Sequence, residues 1–159
     1  MPLYKCDVLE VMRENRMTLD QIIKHKGADV ITIRADVTLR EAAKLLDDKK
    51  IASVVATTSE GSLVGVLSER DITRQFARHG VDSLTMTVAH AMTRDVITAL
   101  PTETLDQGLA RMSDRRIRHL PVCIEGKLIG LVSIGDLVKW KIHETEAEAE
   151  AMKSYIASG

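Results

Sequence analysis

The sequence contains two Ser-x-x-Asp pairs whose residue types and spacing suit the binding of a polar ligand. Ser68 and Asp71 form the first pair, and Ser133 and Asp136 form the second. Each pair follows an apolar stretch that predicts a strand and opens a segment that predicts a helix, so its side chains lie beside unpaired helix N–H groups that favour anions. The carboxylate can accept hydrogen bonds from two vicinal hydroxyls, as on a ribose, and the Ser hydroxyl can contact sugar or phosphate. The same residues can also simply cap the helix, and the pattern leaves both roles open.

The two pairs belong to an internal repeat. The segments GSLVGVLSERD (61–71) and GKLIGLVSIGD (126–136) share five identical residues at a spacing of 65. Further matches upstream, such as Thr32 with Thr98, have a spacing of 66, so one residue is dropped at a turn, where an indel is best tolerated. A repeat of this length predicts two copies of one small folded unit.

Each copy predicts the order β-α-β-β-α. An extended piece (30–33 or 96–100) precedes a helix capped by Thr38 or Thr104, with apolar residues at helical spacing. A β-rich run, a glycine turn and a second apolar strand follow. The last helix begins at Glu69 or at Ile134, after the Ser of the pair.

This order, the duplicated G-x-x-S-x-x-D pattern and the RHLPV segment (118–122) resemble the cystathionine-beta-synthase (CBS) domain, which normally occurs in pairs. The resemblance covers roughly residues 29–142. It implies an α+β fold in which two β-α-β-β-α repeats pack sheet to sheet about a pseudo-twofold axis, followed by a C-terminal helix. The chain resembles in particular stand-alone bacterial CBS pairs, and a CBS pair is also called a Bateman module.

The predicted domain boundaries follow from the repeat. We expect an N-terminal extension with a lead-in helix over 1–28, a first CBS domain over 29–80 and a second over 95–142. A linker with a second lead-in helix occupies 81–94, and an acidic helix occupies 143–159.

The family resemblance implies a ligand-binding role for several groups of residues. Asp71 and Asp136 would hold a ribose with help from Ser68 and Ser133, and Arg118 and His119 would contact phosphate at the strand entry, where the first repeat has Ala52 and Ser53. Arg70 could serve the first cleft. Short apolar residues would flank the adenine, although a plain core role is equally open for each of them: Val30, Ile31, Ile51, Ala52, Val96, Ile97 and Ile117.

Because phosphate needs cations, the cleft with Arg118 and His119 is predicted to bind a phosphorylated adenosine more tightly. AMP is the first expectation, and NAD(H), ATP or ADP come second. S-adenosylmethionine has no phosphate for these cations to meet. No catalytic cofactor and no metal are expected.

Composition excludes several functional classes. A formal net charge of −1 argues against a nucleic-acid binder, and no apolar run approaches the roughly 18 residues that span a bilayer. The five histidines show no catalytic patterning, and there is no G-x-G-x-x-G fingerprint or P-loop. With no apolar signal segment at the N-terminus, we expect a cytoplasmic, non-enzymatic protein.

The predicted function is therefore a regulatory sensor. An adenine nucleotide bound in clefts between the repeats would change the geometry of the repeats or of a homodimer. The alternative is a detached regulatory subunit that acts in trans on an enzyme or transporter, with nucleic-acid binding a weaker option; the downstream protein is unknown.

The acidic C-terminal segment predicts a helix with one apolar stripe, formed by Ile142, Thr145, Ala149, Met152 and Ile156. Two interpretations remain open: the stripe packs on its own domain, or it contacts a second subunit.

Overall fold

The computed structural model describes residues 16–158 and confirms the α+β class. The part of the predicted N-terminal extension that precedes residue 16 lies outside this range. Within it, six α-helices, one 3₁₀ helix and five strands follow one another in this order: α1 (Leu19–Lys26), β1 (Thr32–Arg34), α2 (Leu39–Lys49), β2 (Ser53–Thr57), β3 (Leu63–Ser68), α3 (Glu69–His79), the 3₁₀ helix (Gly80–Thr85), α4 (Val88–Ala91), α5 (Leu105–Arg115), β4 (His119–Ile124), β5 (Lys127–Ser133) and α6 (Ile134–Ser158).

The chain divides into two compact units. We call one the first-repeat unit; it contains residues 29–98 and 123–130. Among the described residues, the second-repeat unit contains 16–28, 99–122 and 131–158. Each predicted Ser-x-x-Asp pair therefore lies in a different unit.

The first-repeat unit has the predicted β-α-β-β-α order. Its three-stranded sheet has the order β1-β2-β3; β1 pairs parallel to β2, and β2 pairs antiparallel to β3. Helix α2 buries Leu39, Ala42 and Leu46 against the sheet residues Val54 and Leu67, which forms an aliphatic core. This core fixes the end of β3, where the first Ser-x-x-Asp pair begins.

The short helix α4, which precedes the second repeat along the chain, packs in the first-repeat unit. The N–H of Leu39 donates to the carbonyl of Met86 over 2.8 Å, and the N–H of Val88 donates to that of Val37 over 2.8 Å. Val88 is fully buried. The lead-in helix that packs on the first repeat is thus the one in the linker.

Gly65, the glycine of the first G-x-x-S-x-x-D pattern, permits this packing. A Cβ at this position would lie 2.4 Å from the Met92 sulfur and 2.9 Å from the carbonyl oxygen of Thr93. Val66 and Thr93 exchange backbone hydrogen bonds of 3.0 and 2.9 Å beside it. Only glycine allows the two backbones to approach so closely.

Helix α1 plays the equivalent part in the second-repeat unit. The N–H of Leu19 donates to the carbonyl of Glu103 over 2.9 Å, and that of Leu105 donates to Met17 over 2.8 Å. The helix is capped by Thr18 and ends at Gly27. Each lead-in helix therefore packs with the repeat that it does not directly precede.

The strand predicted over 96–100 is wrong. No strand forms over this segment; Ala99 makes an isolated parallel bridge to Val122, and its N–H donates to the carbonyl of Pro121 over 2.9 Å. Pro121 occupies the repeat position of Val55, which pairs with Thr32 in the first unit. A proline has no N–H to donate, so the ladder cannot extend as it does there.

The C-terminal helix α6 is continuous over 25 residues from Ile134 to Ser158. Side chains from Thr145 onward are exposed, and the predicted stripe includes Ile142, Met152 and Ile156 with exposed fractions of 52%, 63% and 77%. Packing of the stripe on its own domain is therefore wrong for this part of the helix, within the residues described.

Candidate functional site

The first Ser-x-x-Asp pair forms a capping box at the start of α3. The N–H of Ser68 donates to Asp71 Oδ2 over 2.9 Å, and the N–H of Asp71 donates to Ser68 Oγ over 3.2 Å. Asp71 Oδ1 lies 3.4 Å from Arg74 Nη1, one turn further along the same helix. The carboxylate thus has a cap on one oxygen and a largely exposed cation beside the other.

The second pair repeats this geometry at the start of α6. The N–H of Ser133 donates to Asp136 Oδ2 over 2.8 Å, and the N–H of Asp136 donates to Ser133 Oγ over 3.1 Å. Capping, one of the two roles left open by the sequence, is confirmed for both pairs. The ribose role stays a prediction.

The main chain just before each central strand lies against these helix starts. The N–H of Glu69 donates to the carbonyl of Ala52 over 2.9 Å, and the N–H of Ile134 donates to that of Arg118 over 2.8 Å. The two contacts are equivalent by repeat position. The second-repeat unit therefore brings Arg118 to the helix start that carries Asp136, and the first-repeat unit places Ala52 at the matching point.

Another basic side chain reaches the second site from α1. Lys26, the last residue of that helix, forms an ion pair with Asp136 and donates to the carbonyl of Leu131 over 3.0 Å. Lys26 was not predicted from the sequence, because it precedes Asp136 by 110 residues and belongs to no motif shared with it. Only the packing of α1 on the second repeat brings it there.

Electrostatics in the second site favour an ionised carboxylate and a neutral imidazole. Partial burial raises the pKa of Asp136, but hydrogen bonds from Lys26 and Ser133 outweigh it and hold the pKa below the ordinary 3.8. Burial, followed by the nearby ammonium of Lys26, lowers the pKa of His119 below 6.5, although the charge of Asp136 opposes this. The site thus combines one carboxylate with several nitrogen donors.

The residues predicted to flank an adenine are not part of the fully buried core. Val30, Val96 and Ile97 are half-buried in the first-repeat unit, where Ile31 is 38% exposed. Ile117 is half-buried in the second. Their partial exposure therefore fits a surface that a ligand can contact better than a role in the buried core.

The remaining residues predicted to bind a ligand in the first repeat differ in their burial. Ile51 packs against the hydrophobic core, Ala52 is exposed, and Arg70 is exposed in the first turn of α3. Arg74, which was not among the residues predicted from the sequence, is the cation that contacts Asp71.

The second-repeat unit also has a shallow cavity of about 230 Å³, lined by Met17, Gln21, His25 and Glu144. It contains none of the predicted ligand residues, and the polar geometry at Asp136 is the stronger indication of a site. Residues 16–158 hold no cluster of three or more His, Cys, Asp or Glu side chains suited to a metal ion. In the same range, no helix is both long and apolar enough to cross a membrane.

This chain is similar in sequence to known proteins that contain CBS domains. A sequence model of the CBS domain matches residues 22–78 and 88–143. The Arabidopsis thaliana protein named "CBS domain-containing protein CBSX3, mitochondrial" is 30% identical over 150 residues, which cover 89% of this chain and 73% of that protein.

Solved structures of CBS proteins have the same fold. The CBS-domain containing protein ATU1752 from Agrobacterium tumefaciens is 40% identical, with a TM-score of 0.71 over 78% of this chain and 98% of that one. The CBS domain pair of protein MJ0100, in complex with 5′-methylthioadenosine and S-adenosyl-L-methionine, is 26% identical, with a TM-score of 0.70 over 81% and 98% of the two chains.

Proposed function

Because the chain belongs to the CBS-domain family and contains two CBS domains, we propose that it is a regulatory module that binds a phosphorylated adenosine without converting it. The observation that carries this proposal is the Ser133–Asp136 pair at the start of α6, with Arg118, His119 and Lys26 around it. The MJ0100 pair, solved with two adenosine-containing ligands, supports the adenosine part of the proposal.

The cations favour a nucleotide over the ligands of MJ0100. A ribose can donate two hydroxyls to the Asp136 carboxylate, while a phosphate needs N–H donors and positive charge. Three basic side chains and the N-terminus of α6 supply these in the second-repeat unit. AMP is therefore the first candidate and NAD(H) the second, with ATP or ADP after them.

The direct test is to identify what the purified protein holds and binds. Nucleotides released by denaturation are identified by mass spectrometry, and isothermal titration then measures AMP, NADH, ATP, S-adenosylmethionine and adenosine. We expect AMP or NAD(H) to bind most tightly and to be recovered chemically unchanged. No heat with any of the five compounds would refute the proposed function.

We also propose that the protein is a cytoplasmic homodimer, with the exposed stripe of α6 facing a second copy. The double substitution Met152→Lys and Ile156→Lys would place charge in this apolar stripe. It is expected to give a monomer in sedimentation velocity. Ser154→Lys adds charge on another face of the same exposed segment and serves as the control. A dimer that survives the double substitution would contradict this arrangement.

A further inference from the structure

Lys26 occupies the acceptor that a ribose would need. Its ammonium contacts Asp136 Oδ2 and the carbonyl of Leu131, so both acceptors lie where β5 joins α6. The Ser133 N–H donates to the same carboxylate oxygen. A ligand that donates two hydroxyls to Asp136 must therefore share this carboxylate with Lys26 or displace it.

Displacement of Lys26 costs little. The side chains of Lys26 and Asp136 are 38% and 26% exposed, and ion pairs with this much solvent contact contribute little to stability. A lysine side chain is long and flexible, so its ammonium can move while its backbone stays in place. The carboxylate can thus change partners without unfolding α1.

A displaced ammonium has a second acceptor available once a nucleotide is bound. The main chain of Arg118 contacts the start of α6, and His119 is close enough for the charges of Lys26 and Asp136 to act on it. An anion is favoured here by the helix N-terminus as well as by these side chains. A phosphate attached to a ribose on Asp136 would lie among the same groups.

We infer that Lys26 exchanges partners when the ligand binds: it leaves Asp136 to the ribose hydroxyls and takes a phosphate oxygen. The inference rests on the proposed function and makes Lys26 the residue that couples phosphate recognition to ribose recognition. Because Lys26 is the last residue of α1, the exchange would also make the contacts of this helix end depend on whether a ligand is bound.

The first-repeat unit offers a useful contrast. Its lead-in helix α4 has only four residues, and the chain that follows it pairs through Thr93 with Val66. The cation at Asp71 is Arg74, from the same helix as Asp71 itself. Within the described chain, an ion pair between a lead-in helix and the Ser-x-x-Asp carboxylate occurs only in the second-repeat unit.

The experiment measures AMP and adenosine affinity separately, because the two ligands differ only in the phosphate. Lys26→Met keeps much of the side-chain length and removes the charge. It is expected to weaken AMP binding about tenfold or more, since one hydrogen bond to a charged group is lost. Adenosine affinity is expected to stay the same or rise, because Asp136 no longer has a competing partner.

Lys24→Met is the matched control. It removes the same charge from the same helix, but Lys24 pairs with Asp20 over 2.7 Å and is largely exposed. Both affinities should remain at the wild-type level in this variant. Lys26→Arg should retain the preference for AMP. Thermal unfolding by circular dichroism checks that each variant folds.

Trp140, the only tryptophan, provides a second readout. Its ring lies 5.0 Å from that of His25, the neighbour of Lys26, and it follows Asp136 by one helical turn. AMP should change Trp140 fluorescence in the wild type more than adenosine does, and Lys26→Met should remove that difference.

Each outcome decides between the possibilities. If Lys26→Met weakens AMP and adenosine equally, Lys26 only holds α1 in place, and the exchange is refuted. An unchanged preference for AMP refutes it as well, while the proposed function stands. If the wild type binds neither ligand, the proposed function fails and this inference fails with it.

Discussion

The two Ser-x-x-Asp sites share a backbone framework and differ in the charges around it. In each, a Ser N–H donates to the Asp Oδ2 over 2.8–2.9 Å, and the first N–H of the helix donates to the main chain before the central strand. Asp71 meets one exposed arginine from its own helix, whereas Asp136 meets a lysine from a distant helix. Arg118 stands at the second site where the first has Ala52.

This contrast separates what folding requires from what a ligand requires. A capping box satisfies helix N–H groups and stabilises its helix whether or not a ligand binds, so both repeats retain it. The surrounding cations are not needed for the cap. Their concentration at Asp136 is the reason to expect unequal sites.

The largest expected effect is on nucleotide affinity. Asp136→Asn keeps an acceptor for the Ser133 N–H but removes the charge that would hold two ribose hydroxyls. We expect AMP affinity at the tight site to fall about 100-fold, since hydrogen bonds to a charged group are worth about 1.5–3 kcal/mol. Isothermal titration measures this.

Asp71→Asn is the matched variant. It should leave the tight site within about twofold of wild type, because Asp71 makes its capping bond and its ion pair at the start of α3 and not at the start of α6. Equal losses in the two variants would mean that the sites are equivalent, and no loss in Asp136→Asn would mean that this carboxylate only caps its helix.

The two sites should also differ in how they tolerate an added methyl group. Gly65→Ala places a Cβ against Met92 and the Thr93 carbonyl, and overpacking of this kind costs about 1–3 kcal/mol. Gly135→Ala lies within α6, where a Cβ would meet only Ser133 Oγ at 3.7 Å. Alanine there should be neutral or stabilising by up to about 1 kcal/mol. Urea unfolding of both variants tests this; a stable Gly65→Ala protein would contradict the close approach.

Exchange of the strand-entry residue should shift affinity between the sites. Arg118→Ala is expected to lower AMP affinity at the second site about tenfold, through loss of one charged donor. Ala52 is exposed, so Ala52→Arg can be accommodated and should strengthen AMP binding at the first site. Titrations of the single and double variants measure both shifts. If Ala52→Arg has no effect while Arg118→Ala does, the matching position alone does not make a phosphate site.

The smallest expected effect is a pH dependence of stability. The pKa of His119 is lowered in the folded protein, so the unfolded chain binds the proton more readily. The contribution of neutral His119 is therefore present above about 6.5 and is lost as pH falls from there through the lower folded-state pKa. His119→Gln should lose less stability than wild type between pH 7.5 and 5.5.

Urea unfolding without ligand at these two pH values provides the measurement. Asp136 does not contribute in this window, because its pKa lies below 3.8. A pH dependence identical in wild type and His119→Gln would show that the environment of His119 does not disfavour its charged form.

Local features were predictable from the sequence because their causes are local. A Thr or Ser three residues before a Glu, Gln or Asp makes a capping box from neighbouring atoms, and Thr38, Ser68 and Thr104 all cap where expected. The absence of a regular strand at 96–100 was not predictable by the same means, because strand pairing there depends on a partner segment in which Pro121 has no N–H to donate.

By itself, the sequence determined the repeat, its helices and caps, and the two Ser-x-x-Asp pairs, since these depend on periodicity and on contacts a few residues apart. Only the tertiary structure decided which lead-in helix joins which repeat. That packing brings Lys26 across 110 positions to Asp136. No local pattern records such a contact, because it arises from the burial of Leu19 and Ile22 and not from any property of Lys26.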